Sequence, residues 1–186
     1  MVEITVIIPV YNAEKYIVEC LQSLYSQTFK DIEVLVINDS STDETVQVIE
    51  KFQKEYPAFD LNLITVPNGG AAKARNVGIR MSRGNYIAFM DADDIVDRDM
   101  FKIMINMAHQ ENADLVTCEF YWMYPKKNVW QNLYNPKNNR ELYIGAWAAP
   151  WNKLYRRSML VDHDIFFYGR IYIRRYIILL EIYSIL

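Results

Sequence analysis

Glu3 to Val10 reads EITVIIPV, an almost unbroken run of apolar and β-branched residues near the start of the 186-residue chain. A strand with one face in water alternates apolar and polar residues, whereas a strand covered on both faces is apolar throughout. The run is therefore typical of a central strand in a parallel sheet. It ends at two polar side chains, Tyr11 and Asn12.

The same arrangement recurs three times along the chain. Apolar runs predict further strands over 32–37, 61–66 and 86–90, and apolar residues at helical spacing predict helices between them. Asn12 is the predicted N-cap of the first helix, and Ser41 with Glu44 has capping-box spacing before the second. Strand and helix that alternate four times predict an α/β fold with a Rossmann-like, mostly parallel sheet flanked by helices.

Polar side chains follow all four predicted strands. In parallel α/β sheets, ligands bind beyond the carboxyl ends of the strands, and these ends lie along one edge of the sheet. We therefore expect a binding site at that edge. Its candidate residues are Tyr11, Asn12, Asn38, Asp39, Asn68, Asp91, Asp93 and Asp94.

The fourth strand runs directly into three carboxylates, in the stretch GNYIAFMDADDIV from Gly84 to Val96. Carboxylates this close repel one another unless a cation neutralises them or they turn into water. Mg²⁺ and Mn²⁺ take oxygen ligands and keep room for substrate phosphates. If the segment is extended, Asp91 and Asp93 point to the same side, and small Ala92 leaves the backbone accessible. We expect these two aspartates to make metal and ribose contacts.

The last acids of this stretch have a simpler interpretation. Asp94 and Asp97 precede the next predicted helix, from about 99 to 110. Carboxylates stabilise the positive end of a helix. We expect these two residues to cap that helix.

Composition excludes several classes of protein. The net charge is −3 and the basic residues are scattered, so the chain lacks the basic stripe of a nucleic-acid-binding protein. Cys20 and Cys118 lie far apart in apolar segments, which predicts reduced buried thiols and a cytoplasmic chain. The first apolar run stops at Pro9, too early for a membrane span, and Glu3 stands where a signal peptide has basic residues.

The chain changes character after Asp97. Residues 1–97 form the predicted nucleotide-type half, and residues 98–167 form a less regular, aromatic half within one compact domain. Residues 168–186 form an atypical tail.

Four motifs occur in order, and together they resemble the inverting glycosyltransferases of family 2, which have the GT-A fold, especially bacterial enzymes of surface polysaccharide synthesis. The motifs are VIIPVYNAEKY with VLVINDSSTDET, then PNGGAAKARNVGI, GNYIAFMDADD and WNKLYRRSML. The resemblance spans residues 3 to about 167. It implies transfer of a sugar from a nucleoside diphosphate sugar, with UDP favoured as the family's commonest carrier, to a saccharide or lipid-linked saccharide acceptor.

The resemblance also assigns roles to residues that match the family's motifs. Pro9, Val10 and Tyr11 match the segment along the base and ribose, and Asp39 matches the carboxylate that accepts a hydrogen bond from the base. Asn38 and Ser40 replace the family's usual Asp and Gly. The other matched positions are Asn68 and Arg75 near base, diphosphate or donor sugar, Asp91 and Ala92 beside the ribose, and Asp93, with Asp91, at the metal.

Other interpretations stay open for two of these motifs. Arg75 is alternatively a solvent-exposed arginine on a helix. The segment Trp151 to Tyr155 resembles the family's acceptor-side segment, but its aromatic rings serve equally well as core packing. It receives no catalytic role.

The mechanism implied is a single displacement that inverts the anomeric carbon. A divalent metal, Mn²⁺ or Mg²⁺, stabilises charge on the departing diphosphate, and a general base removes the proton of the acceptor hydroxyl. The expected location is the cytoplasm, with peripheral association at the inner face of the plasma membrane retained as an alternative. The oligomeric state is not predicted.

The chain departs from the family where the general base is expected. The family places a Glu-Asp pair soon after a segment like IFFYGRIY, but Ile173, Arg174 and Arg175 stand there, and Glu181 is the single acid of the tail. Arginine is effectively never deprotonated and cannot act as a base. No catalytic residue is therefore assigned.

The genetic code suggests an origin for the tail. If residues 174–176 are encoded AGA-AGA-TAC, loss of the first base gives GAA-GAT, which encodes the missing Glu-Asp pair. We therefore expect the last dozen or so residues to follow a frameshift in a longer parent, and arginine codons other than AGA would contradict this. The alternative is a natural short C-terminal helix that is amphipathic or seeks a lipid surface.

Two other functions compete with the transferase. The first is a truncated nucleotide-sugar-binding remnant, which would bind UDP with Mn²⁺ without turnover. The second is a nucleotidyltransferase, although PVYNAEKY lacks the glycine-rich, basic first loop expected of that class.

Overall fold

A computed structural model describes residues 2–118 and 150–168 in full, and the backbone of two short strands between them. The first half contains four strand–helix units. These are β1 (Ile4–Val10), α1 (Ile17–Tyr25), β2 (Ile32–Asn38), α2 (Thr45–Glu55), β3 (Leu61–Thr65), α3 (Ala71–Met81), β4 (Tyr86–Phe89) and α4 (Met100–Gln110). The later elements are β5 (Leu115–Thr117), β6 (Trp122–Tyr124), β7 (Val129–Gln131), β8 (Lys153–Arg156) and α5 (Arg157–Asp162).

Six of the strands form one mixed sheet in the order β3-β2-β1-β4-β8-β5. β1 is parallel to its neighbours β2 and β4, and β2 is parallel to β3. β8 is antiparallel to both β4 and β5, so the sheet is mostly parallel with one reversed strand. This confirms the predicted α/β fold. β6 and β7 form a separate antiparallel pair.

β1 is buried on both faces, as its sequence predicts. Ile4, Val6, Ile8 and Val10 pack into one hydrophobic layer with α1, α2 and α4, whereas Ile7 faces the opposite layer with α3 and α5. The sheet is thus covered by helices on both sides, which leaves its carboxyl edge as the place where polar side chains can meet a ligand.

Three capping predictions are wrong. Asn12 adopts a positive φ of 52°, and its Oδ1 accepts hydrogen bonds from Thr42, while α1 begins later, at Ile17. Ser41 Oγ accepts the Asn12 N–H instead of capping α2. Both side chains connect the loop after β1 to the loop after β2, so tertiary contacts took the groups that the local pattern assigned to helix ends.

The third capping error concerns α4. Asp94 Oδ2 lies 3.4 Å from the Asp91 N–H, and Asp97 Oδ1 accepts the Asp99 N–H at 2.9 Å. α4 begins at Met100, after both residues, and its N-cap Asp99 makes no side-chain capping bond. These acids therefore stabilise turns ahead of the helix.

Helix α3 packs unusually close to β1. A Cβ built on Gly78 would lie 2.4 Å from Cγ2 of Ile7. We expect Gly78→Ala to lower the free energy of unfolding by about 1–3 kcal/mol, because overpacking a dense core forces side chains or backbone to shift. Urea unfolding followed by circular dichroism measures this.

Gly69→Ala is the matched control for this prediction. Its built Cβ also meets a neighbour at 2.2 Å, but that neighbour is Cδ of the flexible Lys73 side chain. The control is expected to change stability by less than about 0.5 kcal/mol, as exposed substitutions usually do. Equal losses in both variants would contradict the close packing of α3 on β1.

Candidate active site

Three neighbouring strands bring the candidate residues to one edge of the sheet. β1 lies between β2 and β4, so the residues after β1 are flanked by Asp39 on one side and Asp91 on the other. Because adjacent strands are about 4.8 Å apart, the two aspartates follow strands separated by roughly 10 Å. The predicted convergence at the carboxyl edge is confirmed.

Asp39 is held in place by the loop before α3. Its side chain accepts the backbone N–H of Gly69 on Oδ1 and that of Gly70 on Oδ2, each at 2.7 Å. Asn68 Nδ2 donates to the Asp39 carbonyl at 3.0 Å. The Asp39 residue is only 4% exposed. Each carboxylate oxygen retains a second lone pair after these bonds, so the group is fixed in orientation and can still accept a donor from a ligand.

Gly70 provides the turn that makes this possible. Its φ is +84°, in the region that favours glycine, and nothing lies within 4 Å of a Cβ built there. The start of α3 therefore presents open space beside the Asp39 carboxylate.

The first-strand motif presents one exposed ring. Val10 is buried and Pro9 partly buried within β1, whereas the Tyr11 side chain is 53% exposed. The backbone of Asp39 is tied to this strand, since its N–H donates to the Val10 carbonyl at 2.9 Å. Tyr11 thus follows the central strand of the edge with its ring open to solvent.

Asp91 is neutralised by an arginine instead of standing free. The Arg75 Nη2 donates to Asp91 Oδ1 at 2.5 Å. The Arg75 side chain is 5% exposed, and that of Asp91 is 39% exposed. The alternative interpretation of Arg75 as a solvent-exposed arginine is therefore wrong. Its guanidinium thus reduces the repulsion among the aspartates in a third way, besides a bound cation and exposure to water.

The aspartate segment is a turn and not an extended strand. The Asp94 N–H donates to the Asp91 carbonyl at 3.1 Å, closing a turn of four residues. The prediction that strand alternation places Asp91 and Asp93 on one side is therefore wrong. Within the described part of the chain, the exposed Asp93 carboxylate has no hydrogen-bond or ion-pair partner, while partly buried Ala92 separates it from Asp91.

The turn carries more negative charge than Arg75 compensates. Burial, followed by the charges of Asp91 and Asp93, raises the pKa of Asp94 to about 6. Burial and the same three aspartates raise the pKa of the Cys20 thiol, whose Sγ lies 3.7 Å from the Asp91 carbonyl oxygen. A cation at Asp93 would relieve this repulsion, so the residues present fit a hard divalent ion.

The protein supplies few ligands for such an ion. No group of three or more His, Cys, Asp or Glu side chains with metal-binding geometry occurs among residues 2–118 and 150–168. One or two carboxylates with the remaining positions left to phosphate and water is the usual arrangement for Mg²⁺ in phosphate-binding sites.

Two residues beside Arg75 were not identified from the sequence. The Phe167 ring centroid lies 5.5 Å from the Arg75 guanidinium carbon, and Asn76 bonds the Phe167 backbone through both atoms of its amide. These partners are 91 residues apart in the chain, so no local pattern could have paired them.

The acceptor-side motif is mainly structural here. Asn152, Lys153, Leu154 and Tyr155 are buried, and Tyr155 packs edge-on against Phe89 at 5.6 Å. The core-packing interpretation is therefore correct for Tyr155. Burial lowers the pKa of Lys153 to about 8, and its Nζ donates to Asn152 Oδ1 at 2.7 Å.

The expected position of the general base lies outside the described residues. This applies to Ile173, Arg174, Arg175 and Glu181 alike. Among the residues that the structure does describe, no helix is both long and apolar enough to cross a membrane.

Comparison with known proteins gives a consistent result over most of the chain. The model of the family Glycosyl transferase family 2 matches residues 5–179. An uncharacterized glycosyltransferase of Bacillus subtilis, EpsJ, is 34% identical over 183 residues, covering 88% of this chain and 52% of its own length. The chain thus spans about half of that relative.

A Staphylococcus aureus protein, TarS, is similar in both sequence and structure. It is named a poly(ribitol-phosphate) beta-N-acetylglucosaminyltransferase and is 31% identical over 176 residues, covering 90% of this chain and 30% of its own length. The crystal structure of its residues 1–349 with UDP-GlcNAc matches with a TM-score of 0.80 and 29% identity, over 97% of this chain and 53% of that one. The fold is therefore that of a GT-A glycosyltransferase.

Proposed function

The chain belongs to glycosyltransferase family 2, and from that premise we propose that it binds a nucleoside diphosphate sugar and transfers the sugar to a saccharide acceptor with inversion. The donor is a UDP-sugar. TarS, crystallised with UDP and with UDP-GlcNAc, supports this choice. The nucleotidyltransferase alternative loses its basis, since the matched family consists of glycosyltransferases.

The observation that carries the proposal is the fixed Asp39 carboxylate. Both of its oxygens are oriented by backbone amides of the loop before α3, and a preorganised acceptor favours a ligand that brings a donor. Uracil presents a ring N–H to the carboxylate, whereas cytosine and adenine place an unprotonated ring nitrogen, which a carboxylate repels, beside their amino group. Asp39 therefore favours uracil over these two bases. Guanine also presents a ring N–H, so the preference for uracil over guanine rests on TarS. The exposed Tyr11 ring is available for the base to stack on.

The diphosphate lies toward the aspartate turn in this proposal. Asp91 contacts the ribose or a metal-bound water, and Ala92 lets the donor approach the backbone. Asp93 is the main protein ligand of Mn²⁺ or Mg²⁺, because its carboxylate is exposed and not committed to Arg75. Such an ion would supply Lewis acidity that stabilises the charge of the departing diphosphate.

Arg75 has a different role from the one its motif suggests. Its guanidinium is buried against Asp91, so we assign it to holding that carboxylate and not to gripping the diphosphate directly. Asn68, whose amide is bonded to the Asp39 carbonyl, holds the base-binding loop.

The remaining features of the proposal are the roles of the parts of the chain, the acceptor and the location. Residues 1–97 bind the donor, residues 98–167 form the acceptor side, and 168–186 are the atypical tail. The acceptor is a growing surface saccharide, free or lipid-linked, and the enzyme works in the cytoplasm, at the inner face of the plasma membrane where the acceptor is lipid-linked. The general base is not assigned.

Isothermal titration with UDP, CDP, ADP and GDP, each with and without Mn²⁺, tests the proposal. We expect UDP to bind most tightly and Mn²⁺ to strengthen its binding. Hydrolysis of a panel of UDP-sugars then separates the enzyme from the remnant, since a remnant binds UDP with Mn²⁺ and does not release it from the sugar. Absence of binding by every nucleoside diphosphate would refute the donor site.

Asp93→Asn separates the metal from the base. The substitution keeps the shape of the side chain but removes the charge that attracts a divalent ion. We expect the strengthening of UDP binding by Mn²⁺ to disappear, while metal-free UDP binding changes by less than about twofold, since an exposed side chain away from the base contributes little to it.

Asp97→Asn is the matched control for the metal. Asp97 is also exposed and near the turn, but its carboxylate is engaged by the Asp99 N–H. The manganese effect should survive in this variant. If it survives equally in Asp93→Asn, the assignment of Asp93 is wrong.

A further inference from the structure

Asn76 joins helix α3 to a distant segment through two hydrogen bonds. Its Nδ2 donates to the Phe167 carbonyl at 2.7 Å, and its Oδ1 accepts the Phe167 N–H at 2.8 Å. An amide side chain used in this way imitates a neighbouring strand, since it satisfies both backbone groups of one residue. The position of Phe167 along α3 is thereby fixed.

The fixed Phe167 ring closes one side of the Arg75 guanidinium. The ring lies 5.5 Å from Arg75 Cζ and packs edge-on against Phe89 at 5.0 Å. A cation over an aromatic face is attracted to it, and more strongly when water is excluded. The Phe167 side chain is thus held between the end of β4 and the arginine that bonds Asp91.

The orientation of Arg75 depends on the Phe167 ring because the guanidinium makes few hydrogen bonds. It reaches Asp91 through Nη2, while its buried Nε has no hydrogen-bond partner within the described residues. A guanidinium bonded at a single nitrogen can rotate about that bond unless packing prevents it. The Phe167 ring supplies the packing.

We propose that Asn76 is a positioning residue for the donor site. It holds Phe167 against Arg75, and Arg75 in turn fixes the Asp91 carboxylate in the orientation that the ribose and the metal-bound diphosphate require. Asn76 itself touches neither donor nor metal. The proposal rests on the proposed function for its effect on binding, but the ordering of Arg75 does not depend on that function.

Two measurements on Asn76→Ala test the proposal. The first is hydrogen exchange of the Arg75 Nε–H, followed by NMR in the nucleotide-free protein. We expect exchange to accelerate by about tenfold or more, since displacement of the Phe167 ring exposes the Arg75 guanidinium to water. The second is the affinity for UDP with Mn²⁺, expected to fall by about tenfold, as is typical when an outer-shell partner is removed.

Phe167→Leu and Phe167→Tyr distinguish positioning from general stability. Leucine keeps an apolar side chain without an aromatic face, so Phe167→Leu should also accelerate Arg75 exchange and weaken UDP binding. Tyrosine keeps the aromatic face, so Phe167→Tyr should retain slow exchange and tight binding. Asn62→Ala is the control, because Asn62 is an exposed amide that bonds the nearby Asp60. It should change neither measurement.

The outcomes separate this inference from the proposed function. Unchanged Arg75 exchange in both Asn76→Ala and Phe167→Leu would overturn the inference, even if UDP binds. Accelerated exchange with undiminished UDP affinity would also overturn it, because Asp91 would then be oriented without Asn76. If the unmodified chain binds no nucleotide, the proposed function fails, and the exchange measurement alone decides whether Asn76 orders Arg75.

Discussion

Replacement of Asp91 by alanine is expected to lower the free energy of unfolding by about 3 kcal/mol, because it leaves the buried Arg75 guanidinium without a counterion. The Arg75 side chain is 5% exposed, so water cannot take over from the carboxylate. The lower end of the range for buried pairs is appropriate, since Asp91 itself is partly exposed and its charge is already partly screened. Chemical denaturation measures this loss, provided that the m-value of the variant equals that of the unmodified chain.

The same pair predicts an asymmetry between its two partners. Arg75→Met should be less harmful, at about 1–2 kcal/mol, because the Asp91 carboxylate it leaves is 39% exposed and can be hydrated. The double variant should therefore be more stable than Asp91→Ala alone. A greater loss from Arg75→Met than from Asp91→Ala would contradict the burial of the arginine.

An exposed ion pair supplies the control for these stabilities. Asp60 and Arg83 form a salt bridge at 2.8 Å with side chains that are 43% and 58% exposed. Surface pairs contribute about 0–1 kcal/mol, so Asp60→Ala should have a small effect. This contrast tests burial and not merely the presence of a salt bridge.

The strand and helix pattern of the first half could be predicted because its signals are local. The run from Ile4 to Val10 is buried on both faces, and such a strand has no polar positions to confuse with a helix. The position of β8 in the sheet could not be predicted in this way. Its four residues insert between β4 and β5 in antiparallel register, and pairing between strands that are far apart in the chain leaves no periodic trace in the sequence.

The position of the candidate residues at one edge of the sheet was predicted correctly, but most of their hydrogen-bond partners were not. Each strand contributes polar residues where it ends, which sequence reveals, but the hydrogen bonds among them depend on tertiary contacts. Asn12 bonds Thr42 instead of capping α1. Asp91 bonds Arg75, which lies on helix α3. The neighbours of this arginine in the sequence, alanine and asparagine, do not indicate that it is buried.

These misses share one physical cause. Short polar side chains have several possible partners of similar energy, so the partner brought closest by the fold is the one selected. The apolar side chains do not depend on a particular partner, because the hydrophobic effect that buries them is not directional. The sequence therefore predicted the edge at which these polar side chains meet, and the tertiary fold determines which side chain orients which.

Asp39→Asn is expected to weaken UDP binding by about a hundredfold, the largest effect on affinity that the site predicts. The carboxylate accepts two backbone N–H groups and is proposed to accept a third donor from uracil. Asparagine offers one acceptor oxygen, and its NH₂ group opposes either a loop amide or the base. Hydrogen bonds to a charged group contribute about 1.5–3 kcal/mol each, and the lost charge weakens every bond to this side chain.

The change should fall on base recognition and spare the metal. Titration of Asp39→Asn with UDP should therefore show weak binding that Mn²⁺ still strengthens by the same factor as in the unmodified chain, whereas Asp93→Asn removes that factor.

Selectivity should change as well: because an amide both donates and accepts, Asp39→Asn should lose the preference for UDP over CDP. Asp97→Asn is the matched control, since it makes the same chemical change at a carboxylate that bonds the Asp99 N–H outside the base site, and it should leave the UDP affinity unchanged. If Asp39→Asn retained the affinity and the uracil preference, the carboxylate would serve only to hold Gly69 and Gly70, and the base would have to be recognised elsewhere on the edge.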